Sequence, residues 1–183
     1  MAVQNNLSNL DTLIIPFSLE GTDGKFYSPS SFDDKKILII IFICNHCPYV
    51  KAIMDRLVSF QNKYNDDGVR LVGINSNDPE SYPEDSFDNM KLFYSEYKMN
   101  FPYLCDETQD TARKYGAVCT PDFYLYDENR ILKYRGRLDD NWKDETNITS
   151  KELEKATELL LNDMKIDFQQ IPSMGCSIKW KAD

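Results

Sequence analysis

The stretch KILIIIFICNHCPYV, residues 36–50, places two cysteines and the only histidine of the chain directly after an apolar run. The run from Ile37 to Ile43 does not alternate with polar residues, which is typical of a strand that is covered on both faces. Pro48 fits the first turn of a helix, where its missing N–H costs little. Apolar residues then recur at helical spacing as far as Tyr64. The stretch therefore predicts a buried strand that leads through CNHC into a helix.

The rest of the chain alternates short apolar strands with amphipathic helices. Hairpins are predicted around the turn at Asp23-Gly24 and between DFYLY and ILKYR, and Thr149 and Glu152 form a capping-box pattern before the last helix. This order predicts an α/β fold, with a mixed central sheet flanked by helices and an N-terminal β-hairpin. We expect one domain over residues 1–183, with residues 166–183 as a C-terminal tail packed on or near it.

Composition excludes several classes of function. The chain has 183 residues, a net charge of −9 and a pI near 4.7, so nucleic acid and anionic membranes are not expected partners. No apolar run approaches the length of a membrane span, and the N-terminus has no basic start or apolar core typical of a secretion signal. We therefore expect a cytoplasmic location. In that reducing compartment a disulfide framework is not expected, and the five cysteines leave at least one thiol over, so a close cysteine pair is more often catalytic or metal-binding.

The CNHC stretch itself predicts a redox dithiol. The N-terminus of a helix stabilises a thiolate through its unpaired N–H groups and its dipole. We expect both sulfurs in the first turn, with Cys44 as the more exposed nucleophile and Cys47 as the deeper resolving thiol. A protonated His46 would add positive charge and favour the thiolate. Sulfur carries the electrons in such chemistry, so no cofactor is expected.

Two alternatives use the same cysteines differently. A structural zinc site would need four ligands, and the sequence offers one close cysteine pair and a single histidine, so no metal is expected. The two cysteines could also be buried structural residues, although the entrance of a helix beside a histidine is an unusual place for that role.

With Thr120-Pro121 placed ahead of a predicted strand, the strand–CxxC–helix arrangement resembles the thioredoxin superfamily. The resemblance implies that Pro121 is a cis-proline against the cysteines, and that Thr120 and Pro121 present backbone to a docking partner. It also implies substrates that are protein or small-molecule disulfides and thiols. Thiolate stabilisation should make the couple more oxidising than about −270 mV, the potential of thioredoxin.

The N-terminal hairpin and the segment between VGIN and FPYL narrow the resemblance to the redoxin branch, that of alkyl hydroperoxide reductase and thiol-specific antioxidant proteins. A peroxiredoxin-like group of largely uncharacterised bacterial proteins is similar in the stretches CNHCPYVKA, GINSND, DETQDTARKYGA, CTPDF, YRGRLDD and GCSIKW. This branch also contains thiol peroxidases, in which Cys47 would be peroxidatic. However, the peroxidase motif PxxxTxxC has Ile40 and Cys44 at its supporting positions here, and its distant arginine falls at Thr120. We therefore favour a thiol-disulfide oxidoreductase, with a peroxidase or a non-enzymatic redox sensor as alternatives.

Two further cysteines have open roles. Cys119 precedes Thr120-Pro121 and is either a third redox thiol or a small buried residue that lines the site. Cys176 lies in the tail and either folds back as a resolving or lock thiol, or belongs to a tail that only packs over an apolar patch. The sequence does not indicate the oligomeric state, the electron donor or the direction of electron transfer.

Overall fold

A computed structural model describes residues 2–5 and 9–182, so residues 1, 6–8 and 183 of the predicted domain lie outside the described part. The strands are β1 Ala2–Gln4, β2 Leu19–Gly21, β3 Phe26–Tyr27, β4 Ile37–Phe42, β5 Val69–Asn75, β6 Tyr103–Cys105, β7 Cys119–Thr120, β8 Asp122–Tyr126, β9 Leu132–Gly136 and β10 Met174–Ser177. The α-helices are α1 Pro48–Lys51, α2 Met54–Tyr64, α3 Phe87–Glu96, α4 Asp110–Tyr115 and α5 Glu152–Leu161.

Seven strands form the central sheet, in the order β3-β2-β6-β5-β4-β8-β9. Strand β4 pairs in parallel with β5 and antiparallel with β8, so the sheet is mixed, as predicted. The expected hairpins β2–β3 and β8–β9 are both present. Gly24 has a φ of 77° in the first hairpin, a left-handed conformation that glycine adopts without steric cost.

The side chains of β4 alternate between two buried apolar clusters, one on each face of the sheet. Ile39 and Ile41 belong to the cluster that helices α2, α3 and α5 cover. Ile40 and Phe42 belong to the opposite cluster, which α4 and the segment around Phe17 and Phe32 cover. This two-sided burial explains why β4 reads as an unbroken apolar run.

The helix predicted to follow CNHC is interrupted. It forms the short α1, a turn at Ala52 and Ile53, and then α2. In the turn, the Ile53 N–H donates to the Val50 carbonyl at 3.0 Å, three residues back, so the chain tightens before α2 begins.

A smaller sheet, which the sequence did not indicate, joins both ends of the chain in the order β1-β10-β7. Its central strand β10 belongs to the C-terminal tail, and β7 immediately precedes Pro121. The tail therefore meets the chain next to the predicted site. Among the described residues, none of the helices combines the length and the apolar character that a membrane crossing requires.

Candidate redox site

The CNHC segment connects the end of β4 to the start of α1. Ile43 still pairs with β5, since its N–H donates to the Ile74 carbonyl at 2.9 Å. Pro48 is the first helical residue and Cys47 is the N-cap, whose carbonyl accepts the Lys51 N–H at 3.0 Å. The expectation that both sulfurs lie in the first turn is wrong, because a proline at the first helical position leaves Cys44 in the preceding loop.

Both sulfurs of the CxxC pair contact the segment before β8. The Cys44 sulfur lies 3.3 Å from the Thr120 hydroxyl oxygen, and the Cys47 thiol donates to the Thr120 carbonyl oxygen at 3.2 Å. The peptide bond between Thr120 and Pro121 is cis, as the family resemblance implied. The fold thus brings together residues from the CxxC segment and from the Thr120-Pro121 segment.

Burial of the two thiols differs from the sequence-based expectation. Cys44 and Cys47 are both 0% exposed, so Cys44 is not the more accessible sulfur. The reason is that Cys44 directly follows the buried strand β4 and packs in the same apolar cluster as Cys47. Access of a partner to either thiol therefore requires the surrounding chain to move.

The pKa values of the two thiols are shifted in opposite directions. The pKa of Cys47 is lowered, first by a hydrogen bond from the Cys44 thiol and further by bonds from the Cys176 thiol and the Val50 backbone N–H. The pKa of Cys44 is raised by the same bond to Cys47, by burial and by the negative charge of Asp85. The arrangement therefore favours a thiolate at Cys47 and a protonated Cys44.

His46 faces an acidic residue that the sequence did not point to. Its Nδ1 atom lies 2.6 Å from Oδ2 of Asp85, and its ring stacks on Tyr82 at 5.1 Å between centroids. The other Asp85 oxygen accepts the backbone N–H of Asn45 at 2.6 Å. The two carboxylate oxygens of Asp85 therefore contact the two middle residues of the CNHC loop, Asn45 and His46. It lies in the polar stretch SNDPESYPED, where no local pattern distinguishes it from a solvated loop residue.

Three groups of this site could act as metal ligands. The Cys44 sulfur, Nδ1 or Nε2 of His46 and a carboxylate oxygen of Asp85 lie within 4.8 Å of one another. They supply one ligand fewer than the four of a closed structural zinc site. The same cluster places the His46 ring near the Cys44 sulfur, and the role of His46 in favouring the thiolate stays a prediction.

The two further candidate thiols occupy different surroundings. Cys119 is buried and its sulfur lies 3.9 Å from the carbonyl oxygens of Pro121 and Ser173. Burial raises the pKa of Cys119, so its thiol is held protonated. Cys176 is half-buried and lies opposite Thr120 in the pairing of β10 with β7, and its pKa is raised to about 12, mainly by burial. The structure thus brings Cys176 to the CxxC pair.

A buried polar network behind Pro121 was also missed by the sequence analysis. Asp122 accepts a hydrogen bond from the Tyr124 hydroxyl at 3.0 Å and lies 3.3 Å from the Arg135 guanidinium. Burial raises the pKa of Asp122 to about 6, although Arg135 acts in the opposite direction. Asn5 also donates to Asp122, which ties the segment after β1 to this network.

A small pocket lies beside Pro121. Its volume is about 170 Å³, and it is lined by residues that include Pro121, Asp139, Trp142, Pro172 and Met174. It therefore lies between the Thr120-Pro121 segment and the tail.

Curated relatives match part of this chain. The thiol-disulfide oxidoreductase ResA of Halalkalibacterium halodurans is 23% identical over 115 residues, which are 63% of this chain and 61% of ResA. The chloroplastic peroxiredoxin Q of Populus jackii is 26% identical over 101 residues, which are 55% of this chain and 44% of that protein. The chain thus spans less than two thirds of the length of either relative.

Solved structures match a larger share of this chain than the two relatives do. An uncharacterized conserved protein from Geobacillus kaustophilus is 42% identical, with a TM-score of 0.94 over 100% of this chain and 98% of that one. A thiol:disulfide interchange protein of the thioredoxin family from Chlorobium tepidum is 20% identical, with a TM-score of 0.63 over 82% of this chain and 97% of that one. The second likeness concerns the fold, which is thioredoxin-like as predicted. The AhpC/TSA family model matches residues 11–135, about two thirds of the sequence. The chain therefore belongs to the AhpC/TSA family.

Proposed function

We propose that this protein is a thiol-disulfide oxidoreductase that cycles Cys44 and Cys47 between the dithiol and the disulfide. One observation carries the proposal. Both sulfurs contact Thr120, directly before the cis-proline, at 3.3 Å from its hydroxyl oxygen and 3.2 Å from its carbonyl oxygen. Because both sulfurs contact the same residue and only two residues separate the cysteines, we expect them to close to a disulfide. The substrates are disulfides and thiols of proteins or small molecules.

The structure favours roles for the two thiols that are opposite to the sequence-based expectation. The Cys47 thiolate attacks one sulfur of a partner disulfide, a bond forms between Cys47 and that sulfur, and the other partner sulfur leaves as a thiolate. Cys44 then loses its proton and attacks the Cys47 sulfur. The Cys44–Cys47 disulfide forms, and the partner sulfur that was bonded to Cys47 leaves as a thiolate. Two electrons have then passed to the partner.

The local structure supports Cys47 as the attacking group. The pKa of Cys47 is lowered, first by the Cys44 thiol and also by the Val50 backbone N–H in α1, and both stabilise the negative charge. The bond to the Thr120 carbonyl belongs to the protonated thiol and is lost on ionisation. Stabilisation of the reduced form makes the couple more oxidising, so we keep the prediction of a potential above about −270 mV.

A second candidate function is that of a thiol peroxidase. It is favoured by the lowered pKa of Cys47, which occupies the peroxidatic position of the family motif, and by the similarity to peroxiredoxin Q. The Cys47 thiolate would displace hydroxide from hydrogen peroxide and become a sulfenic acid, and Cys44 would condense with it and release water. The absence of the motif's proline, threonine and arginine leaves fewer groups to polarise the O–O bond, so we expect this reaction to be slow.

Stopped-flow oxidation of the reduced protein separates these functions. We expect rapid reaction with a small disulfide and slow reaction with hydrogen peroxide, and both reactions should be lost in Cys47→Ser. Cys105→Ser removes the half-buried cysteine at the end of β6, which lies opposite Glu20 and Asn75 in the sheet, and should behave as the wild type. Rapid peroxide oxidation that survives Cys44→Ser would instead identify a peroxidase. Slow reaction with both oxidants would overturn both functions. The cytoplasmic location stays a prediction.

A further inference from the structure

The C-terminal strand β10 occupies the edge at which a partner's backbone would dock. Cys176 lies opposite Thr120 in the antiparallel pairing of β10 with β7, and Ser177 lies opposite Cys119. A partner disulfide that reaches the Cys47 sulfur would lie against the Thr120 backbone, because that sulfur contacts the Thr120 carbonyl oxygen at 3.2 Å. A docking partner strand and β10 would therefore compete for the same backbone.

Gly175 allows this close approach. A Cβ atom at this position would overlap the carbonyl oxygen of Thr120, and it would lie 2.6 Å from the carbonyl carbon and 3.1 Å from Cδ of Pro121. No side chain fits between the two strands here. The tail can therefore contact the Thr120-Pro121 segment only because residue 175 is a glycine.

Contacts on both sides of Cys176 fix its position. Before it, the Ser173 carbonyl accepts the Asn5 N–H at 3.1 Å. After it, the Ile178 N–H donates to the Val118 carbonyl at 3.0 Å, and Ile178 is buried in the apolar cluster beneath. The Lys179 carbonyl then accepts the Asp78 N–H at 2.8 Å. These contacts hold the strand on both sides of Cys176 and thus keep Cys176 opposite Thr120.

The place of Cys176 among the thiols of the site is distinctive. Cys44, Cys47 and Cys119 are fully buried, whereas Cys176 is partly exposed and packs against the cluster that contains the CxxC pair. It lies opposite Thr120, whose carbonyl oxygen accepts a hydrogen bond from the Cys47 thiol at 3.2 Å. In this position a sulfur of the chain itself lies where a sulfur of a docked partner would have to lie.

We propose that Cys176 is a third redox thiol of the site, which strand β10 presents to Cys47 as an internal substitute for a partner, and that the two form a disulfide when the protein is oxidised. This inference rests on the proposed function, since a partner disulfide supplies the oxidant.

The chemistry is thiol-disulfide exchange. Cys47 first forms a mixed disulfide with the partner, as above. Cys176 then loses its proton and attacks the Cys47 sulfur, so that a Cys47–Cys176 bond forms and the partner thiolate leaves. Attack of Cys44 on Cys47 converts this bond into Cys44–Cys47 and regenerates the Cys176 thiol. Cys176 thereby releases the partner from the mixed disulfide, and β10 pairs again with β7.

Trapping of the mixed disulfide tests the proposal. Reduced Cys44→Ser would be oxidised with glutathione disulfide, its free thiols blocked with N-ethylmaleimide, and its unreduced digest mapped by mass spectrometry. We expect a Cys47–Cys176 disulfide with no glutathione retained. Cys44→Ser/Cys176→Ser should retain glutathione on Cys47. The matched control Cys44→Ser/Cys105→Ser should behave as Cys44→Ser alone.

The outcomes distinguish the two proposals. If Cys44→Ser retains as much glutathione on Cys47 as the variant without Cys176, while the wild type still forms Cys44–Cys47, the role of Cys176 is overturned and the proposed function stands. If Cys47 reacts with glutathione disulfide in neither the wild type nor the variants, both proposals are overturned.

A second measurement tests the position of the strand without removing a thiol. Gly175→Ala should displace β10, so alkylation of Cys47 by iodoacetamide should become severalfold faster and the yield of Cys47–Cys176 disulfide should fall. Met174→Ala removes a side chain that is 49% exposed on the same strand and should change neither quantity. Equal alkylation rates in wild type and Gly175→Ala would contradict the view that β10 covers the site.

Discussion

Asp85 is the residue whose removal should most directly loosen the CNHC loop. Its side chain is 0% exposed. Its Oδ1 atom accepts the Asn45 N–H at 2.6 Å, and its Oδ2 atom accepts from Asn77 at 2.7 Å and lies 2.6 Å from the His46 ring. In Asp85→Asn, one carboxylate oxygen is replaced by an amide NH₂ group. This group is a donor and cannot accept a hydrogen bond from the donors that faced the oxygen. Whichever way the amide turns, a close hydrogen bond to the loop or to Asn77 is lost.

The size of the effect follows from these bonds. A hydrogen bond to a charged group contributes about 1.5–3 kcal/mol, and a buried donor without its acceptor adds a desolvation cost. We therefore expect Asp85→Asn to lower the free energy of unfolding by about 3 kcal/mol. With a urea dependence of about 2 kcal/mol/M, the unfolding midpoint should fall by about 1.5 M.

Urea unfolding at pH 7 measures this effect, with Asp88→Asn as the matched control. Asp88 is only three residues away but is 91% exposed, so the same substitution should change the stability by less than about 0.5 kcal/mol. The Asp85 charge also raises the pKa of Cys44, after the Cys47 bond and burial, and Asp85→Asn should lower it. Equal stability of the two variants would refute the reasoning that Asp85 holds the loop.

Three further predictions concern pH and packing. Because the pKa of Cys47 is lowered, first by Cys44, its alkylation rate should persist below about pH 8.5, where an ordinary thiol loses reactivity, and Cys44→Ala should move the midpoint upward. Burial raises the pKa of Asp122 to about 6, so its contribution to stability is full below about pH 4 and is lost as pH rises through 6. In Asp122→Asn, the free energy of unfolding measured in urea should therefore change less between about pH 4 and pH 6, and an unchanged pH dependence would contradict the prediction. Ile41→Ala, at a fully buried position of β4, should cost about 2–5 kcal/mol in the same assay, and a loss below about 1 kcal/mol would count against the described packing.

Local patterns were sufficient to predict the main elements of the fold. The unbroken apolar run of β4 and the proline at position 48 predict a buried strand that leads into a helix, and the structure has both. Such patterns work because burial on two faces and the first turn of a helix each depend on neighbouring residues.

Patterns failed where the partner of a residue is distant in the sequence. Thr149 and Glu152 were expected to cap α5 together. Instead, Thr149 bonds with Asp140, and Glu152 pairs with Arg137 at 2.5 Å. Both partners belong to the segment that follows β9, and no local rule ranks them against the capping box.

The sequence alone therefore determined the kind of chemistry, a dithiol at the entrance of a helix, and the sheet that carries it. Only the tertiary structure decided that the pKa of Cys47 is lowered and that of Cys44 raised, that Asp85 contacts the CNHC loop, and that Cys176 lies opposite Thr120. The physical reason is that burial, charge and hydrogen bonding at a sulfur are set by residues far along the chain, such as Thr120 and Cys176, and these meet the CNHC segment only after folding.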